Sequence, residues 1–264
     1  MKVLTLLVLI IIITAVIGLS AKSAEAKMVT KTVDYEQGGV ALEGYLAYDD
    51  AQSGAQPGVL LVHAWRGITD YERGRARQLA AMGYVAFCAD IYGKGVRPAD
   101  AQAAGAEAGK YYADRALLRA RVRAGLDQLR SFPQVDSARV AAIGYCFGGG
   151  TVLELARSGA DVAGVVSFHG NLSNPTPADA ANIRCKALVL HGAADPFVNL
   201  DAVQGFIKEM SATSVDWQVV LYSGAVHAFT DPASGNDPSK GAAYNAEADH
   251  RSWQAMRDFF DELF

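Results

Sequence analysis

Short apolar runs alternate with stretches of helical spacing along nearly the whole of this 264-residue chain, and few folds accept that pattern. Residues 58–63, 84–88, 140–143, 163–168 and 187–190 are apolar runs of strand length, as expected of strands covered on both faces. Between and after them, residues 70–82, 98–131, 148–157 and 200–210 read as helices, and residues 242–263 as a closing amphipathic helix. Gly83 serves as a helix C-cap, and the long stretch at 98–131 is expected to break near Gly105 or Gly109. Residues 29–35 and 40–48 read as strands around the Gln37-Gly38-Gly39 turn, and 217–222 as a last strand. Alternation of this kind implies an α/β fold: a mostly parallel central sheet with helices on both faces. No linker divides residues 27–264, so one domain is expected. In such sheets the chemistry collects at the carboxyl ends of the strands.

Residues 1–26 stand apart. Lys2 precedes an almost wholly apolar run, residues 3–19, and Ala24-Glu25-Ala26 has the small-residue pattern of a cleavage site. This reads as a secretory signal peptide, with Lys27 the first mature residue and export to the periplasm or the exterior as the consequence. The other reading is an uncleaved anchor, the one circumstance in which a membrane would be a partner, because the run reaches the lower limit for spanning a bilayer.

Composition narrows the function. With 24 Lys+Arg against 28 Asp+Glu and a net charge of −4, the chain lacks the basic excess of a nucleic-acid binder. Its three cysteines are too few for a disulfide scaffold, and its five histidines form no zinc-type spacing, so neither a metal nor an organic cofactor is expected. Cys88 and Cys185, in or beside buried strands, read as inert core thiols, or as a structural pair in an oxidising compartment.

Behind the run at 140–143 comes Gly144-Tyr145-Cys146-Phe147-Gly148, leading into a helix. In this G-x-C-x-G turn the glycines make room for a sharp strand-to-helix reversal that presents the central thiol at the sheet edge. The following helix points its positive end at Cys146, which favours the thiolate, and Phe147 N–H lies ready for an oxyanion. A Gly-rich turn with a buried, inert cysteine is the plainer alternative. Two further motifs argue against it. Asp195 follows the run at 187–190, and His227 follows the strand at 217–222, which brings both to the same edge. A histidine can take the thiol proton and later protonate the leaving group, while the acid fixes its tautomer.

These motifs, together with His63-Ala64-Trp65-Arg66-Gly67, Asp90-Ile91-Tyr92-Gly93 and Arg251-Ser252-Trp253, resemble the dienelactone hydrolase family of α/β-hydrolases across nearly all of residues 27–264. The resemblance implies an α/β-hydrolase fold, a Cys146-Asp195-His227 triad, a small-molecule ester or lactone substrate, and Trp65 N–H as the second oxyanion donor. Two positions depart from the family. Ala64 stands where many members have a glutamate that helps generate the thiolate. Asp231 stands four residues after the histidine, where the best-known member has an arginine that grips a substrate carboxylate. A broader ester or thioester specificity is therefore expected, with Trp65, Arg66 and Tyr145 as substrate contacts and Tyr145, Phe147 and Trp65 as an aromatic pocket. Arg66 supplies a substitute cation or simply pairs with a surface acid. His63, His169 and His191 read as structural histidines, Asp90 as a loop tie, and residues 230–240 as a loop beside the site. Two rivals use the same residues: a non-catalytic binding protein, favoured by Ala64, and an exported thiol sensor that reacts through Cys146.

Overall fold

The computed structural model describes residues 27–264; the signal-peptide reading of residues 1–26 lies outside them. Eight strands form one sheet: β1 (Met28–Gln37), β2 (Val40–Asp49), β3 (Gln56–Val62), β4 (Val85–Ala89), β5 (Val135–Tyr145), β6 (Gly164–Phe168), β7 (Lys186–Gly192) and β8 (Trp217–Tyr222). Their spatial order is β1-β2-β4-β3-β5-β6-β7-β8. β1 and β2 form an antiparallel hairpin whose Gly38 and Gly39 both take positive φ, and β2 pairs antiparallel with β4. From β4 to β8 every pairing is parallel.

Among the described residues six α-helices cover the sheet: α1 (Asp70–Ala81), α2 (Ala101–Ala113), α3 (Arg115–Arg130), α4 (Phe147–Arg157), α5 (Leu200–Ser211) and α6 (Ala246–Leu263). Strand alternation divides the apolar side chains between two cores. Leu60, Val62, Phe87, Ala142 and Val165 face the layer that holds Leu118, Val122, Leu126, Val152 and Phe206 of α3, α4 and α5. Val59, Leu61, Ala86, Ile143 and Val166 face Ala76 and Leu79 of α1 with Met256, Phe259 and Phe260 of α6. Buried Arg157 anchors the end of α4 between Glu154 (3.0 Å) and Glu209 of α5 (2.8 Å). Among the described residues no helix is long and apolar enough to cross a membrane.

The long helical stretch divides elsewhere than expected. Gly105 and Gly109 both lie inside α2, and the break falls at Asp114. Its side chain accepts Leu117 N–H at 2.9 Å and so caps α3, a local bond that competes with helix continuation. The closing helix begins at Ala246, capped by Asn245, four residues later than its periodicity suggests.

Candidate active site

The thiol stands on a strained turn. Between β5 and α4, Cys146 has φ 53° and ψ −111°, a positive-φ conformation that disfavours a side chain. The flanking glycines leave no alternative. A β-carbon on Gly144 would lie 2.1 Å from Gly148 O, and one on Gly148 would lie 2.2 Å from Val62 O. The first turn of α4 is therefore pressed onto the end of β3, and Cys146 sits before its amino end.

Two other strand ends complete the group. Asp195 follows β7 and His227 follows β8. His227 Nε2 is 3.1 Å from Cys146 Sγ, and His227 Nδ1–H donates to Asp195 Oδ2 at 2.7 Å. Asp195 Oδ1 accepts the N–H groups of Phe197 (2.9 Å) and Val198 (3.0 Å), which fix the carboxylate. The His227 backbone is clamped in turn: its N–H donates to Gly241 O and its carbonyl accepts Ala243 N–H, both at 3.1 Å.

The electrostatics follow from these contacts. Burial pushes the His227 pKa down, but the Cys146 sulfur and the Asp195 carboxylate outweigh it and raise it to about 10. Burial opposes ionisation of Asp195 as well, yet its bonds from His227 and Val198 hold it below the ordinary carboxylate value. The site thus favours a protonated His227 beside an ionised Asp195.

The segment after β3 is gripped at several points. Buried Glu72 accepts Ala64 N–H at 3.0 Å and Thr69 N–H at 2.8 Å, which closes a capping box on α1. His63 Nδ1–H donates to Ala64 O at 2.6 Å, and Tyr92 O–H donates to Trp65 O at 3.0 Å. Asp90, behind β4, ties down its own loop by accepting Tyr92 and Gly93 N–H with one oxygen and Glu43 N–H with the other. Burial holds His63 and His191 below histidine's ordinary pKa; His191 Nε2–H donates to Val198 O at 2.7 Å and so supports the acid loop.

Cys146 and His227 open into a cleft of about 420 Å³ whose walls include Tyr112, Asn171, Ser173, Phe197 and Val198. Sequence reasoning missed these wall residues. Asn171 and Ser173 follow β6 and Phe197 follows Asp195, so their position behind strands was a usable signal; Tyr112, at the end of α2, carried none.

The expected aromatic pocket needs correction. Tyr145 is wholly buried and stacks on Phe168 at 4.7 Å in the layer of α1 and α6, so it is no substrate contact. The Phe147 ring is buried in the opposite layer, edge-on to Tyr112 at 5.3 Å. Trp65 is exposed and lies outside the walls of the cleft. Arg66 donates to Ala99 O at 3.2 Å rather than to an acid, and it too lies outside the cleft. Cys88 and Cys185 are free thiols in opposite cores, which rules out the alternative that they pair.

The sequence model of the dienelactone hydrolase family matches residues 42–264. The chain belongs to that family. Two solved structures are similar throughout: m3DLH, 43% identical with a TM-score of 0.87 over 90% of this chain and 99% of that one, and the dienelactone hydrolase-like promiscuous phosphotriesterase P91 from metagenomic libraries, 42% identical with a TM-score of 0.86 over 91% of this chain and 100% of that one. Protein usf of Aquifex pyrophilus is 31% identical over 75% of this chain and 85% of its own. A relative in Aquifex aeolicus that carries the name carboxymethylenebutenolidase is 27% identical over 86% of this chain and 96% of its own. The α/β-hydrolase fold of this family accounts for the sheet order and for the meeting of three strand ends at one edge.

Proposed function

We propose that this dienelactone hydrolase family member hydrolyses carboxylic esters or lactones through a Cys146 thiolate. The observation that carries the reading is the unbroken chain from Cys146 Sγ through His227 to Asp195, at 3.1 and 2.7 Å. Membership of a family whose relatives bear lactone-hydrolase names supports the substrate class.

In the first step the thiolate attacks the carbonyl carbon and forms a C–S bond, while the carbonyl electron pair moves onto oxygen. Phe147 N–H and Trp65 N–H receive that oxyanion. The intermediate then expels the alkoxide, which takes a proton from the His227 imidazolium, and a thioester remains on Cys146. In the second step His227, now neutral, deprotonates a water that attacks the thioester. Collapse releases the carboxylic acid and returns the sulfur as thiolate beside the re-protonated histidine. Asp195 keeps Nδ1 protonated throughout, so that Nε2 always faces the sulfur.

Glu72 has a part in this scheme. Its grip on Ala64 N–H holds the strand-end segment that carries Trp65, a service to the oxyanion side rather than to the thiol. The thiolate then depends on His227 and the amino end of α4. Among the described residues the cleft lining includes no arginine or lysine, so uncharged acyl groups suit it best. With residues 1–26 read as a signal peptide, the reaction takes place outside the cytoplasm.

The test is hydrolysis of a small chromogenic acetate ester by the purified protein and by Cys146→Ala. Turnover that disappears in the variant supports the thiol hydrolase. Equal, background-level rates in both would refute it and turn attention to the thiol's reaction with peroxide.

A further inference from the structure

Three non-glycine residues have positive φ among the described residues, and all three belong to the active-site edge: Cys146 (53°), His169 (40°) and Ala228, next to His227 (54°). Strain of this kind persists only where surrounding bonds over-determine it. The bonds converge on His169. Its Nδ1 accepts Cys146 N–H at 3.2 Å, a donor that it shares with Phe168 O at 3.0 Å. Its Nε2–H donates to Thr230 Oγ1 at 2.7 Å. Thr230 lies three residues beyond His227 and is wholly buried. The same Thr230 hydroxyl is 2.6 Å from Tyr71 Oη, and Thr230 O accepts Arg75 Nη2–H at 2.9 Å, with Arg75 held by Asp249 of α6.

We infer that His169 is a positioning residue that joins the cysteine turn to the loop bearing His227 through Thr230, and so sets the sulfur–imidazole distance. The inference rests on Cys146 and His227 acting as nucleophile and base. The required tautomer is fixed by the contacts themselves, since Nδ1 faces a donor and Nε2 therefore carries the proton. The imidazole must also stay uncharged, because a second proton would turn Nδ1 from an acceptor into a donor aimed at Cys146 N–H. His227 (ring centroids 5.3 Å apart), His191, Arg75, Tyr71 and Tyr145 are the titratable groups around it. Burial first, then the charges of His227 and His191, hold its pKa well below the ordinary value, in keeping with that role.

A merely packed histidine would be replaceable by any ring of similar size. His169→Phe keeps the ring and removes both bonds, Thr230→Val removes the hydroxyl at constant shape, and His169→Gln restores a donor toward Thr230. Two readouts are taken on purified protein: the pH dependence of Cys146 alkylation by iodoacetamide, and kcat and KM on the acetate ester. Urea unfolding of each variant is followed in parallel.

His169→Phe and Thr230→Val are each expected to lower kcat roughly tenfold at unchanged KM and to shift the alkylation profile. The double variant should be no worse than the poorer single one, because both break one link, and His169→Gln should recover most of the loss. Wild-type kcat and profile in both single variants would overturn the inference. So would losses that multiply in the double variant, or losses that only track the unfolded fraction. If the parent protein shows no ester turnover, the hydrolase reading fails by itself; the alkylation profiles still decide whether His169 and Thr230 govern the thiol.

Discussion

His227 Nδ1 lies 2.7 Å from Asp195 Oδ2, while the other oxygen of that carboxylate is held by the N–H groups of Phe197 and Val198. The acid is thus fixed by its own loop before it meets the histidine. Asp195→Asn keeps the shape and removes the charge, and its amide can donate to Nδ1 and select the wrong tautomer. The expected result is a loss of roughly 10²–10⁴-fold in kcat with little change in KM, measured on the acetate ester.

The raised pKa of His227, about 10, fixes the sign of a stability effect. The folded state binds this proton more tightly than the unfolded chain, whose histidine titrates near the ordinary value of about 6.5. The stabilisation is therefore complete below about pH 6.5 and fades as pH rises through about 10. Urea midpoints of the parent and of His227→Gln, taken from pH 6 to pH 10.5 (roughly that span), should converge at the alkaline end. A gap that widens with pH would contradict this assignment.

Two glycines separate the demands of the turn from those of an ordinary helix. Gly148→Ala forces a β-carbon to 2.2 Å from the Val62 carbonyl, a backbone atom that cannot step aside. It should destabilise the protein by at least about 1–3 kcal/mol and abolish activity. Gly105, inside α2, has nothing within 4 Å of its would-be β-carbon. Gly105→Ala should stabilise by about 0.5–1 kcal/mol and leave kcat alone. Urea titration with parallel assays checks both.

The legibility of the site follows from its placement. Cys146, Asp195 and His227 each stand a few residues behind an apolar run, so the strand pattern alone brings them to one edge. The walls of the cleft obey no such rule. Tyr112 arrives from the end of a helix, and no periodicity in its own segment points it at the thiol. Tyr145 departs from its expected place for a different reason. It continues the alternation of β5, so with Ile143 it faces the α1–α6 layer, while the turn at Cys146 directs Phe147 to the other layer. Parity along the strand held that information; proximity in sequence to the nucleophile obscured it. The break at Asp114 shows the same competition on a smaller scale, where a capping carboxylate rather than glycine ends the helix.

Substrate charge offers another test. Among the described residues that line the cleft there is no arginine or lysine, so an acyl group bearing a free carboxylate loses its water there with only His227, already paired to Asp195, as a positive neighbour. A neutral acetate ester should exceed cis-dienelactone in kcat/KM by at least about tenfold. A preference for the anionic lactone would require a cation that reaches the cleft from elsewhere in the chain.

The proposed mechanism passes through a covalent thioester on Cys146. Protein mixed with the chromogenic acetate ester and quenched in acid within the first turnovers should yield, by peptide mass spectrometry, an acetyl group on the peptide that contains Cys146. The adduct should be absent from Cys146→Ala and should vanish once the ester is consumed. Turnover without any acyl group on Cys146, or an acyl group that instead remains on another residue of the cleft, would contradict the account.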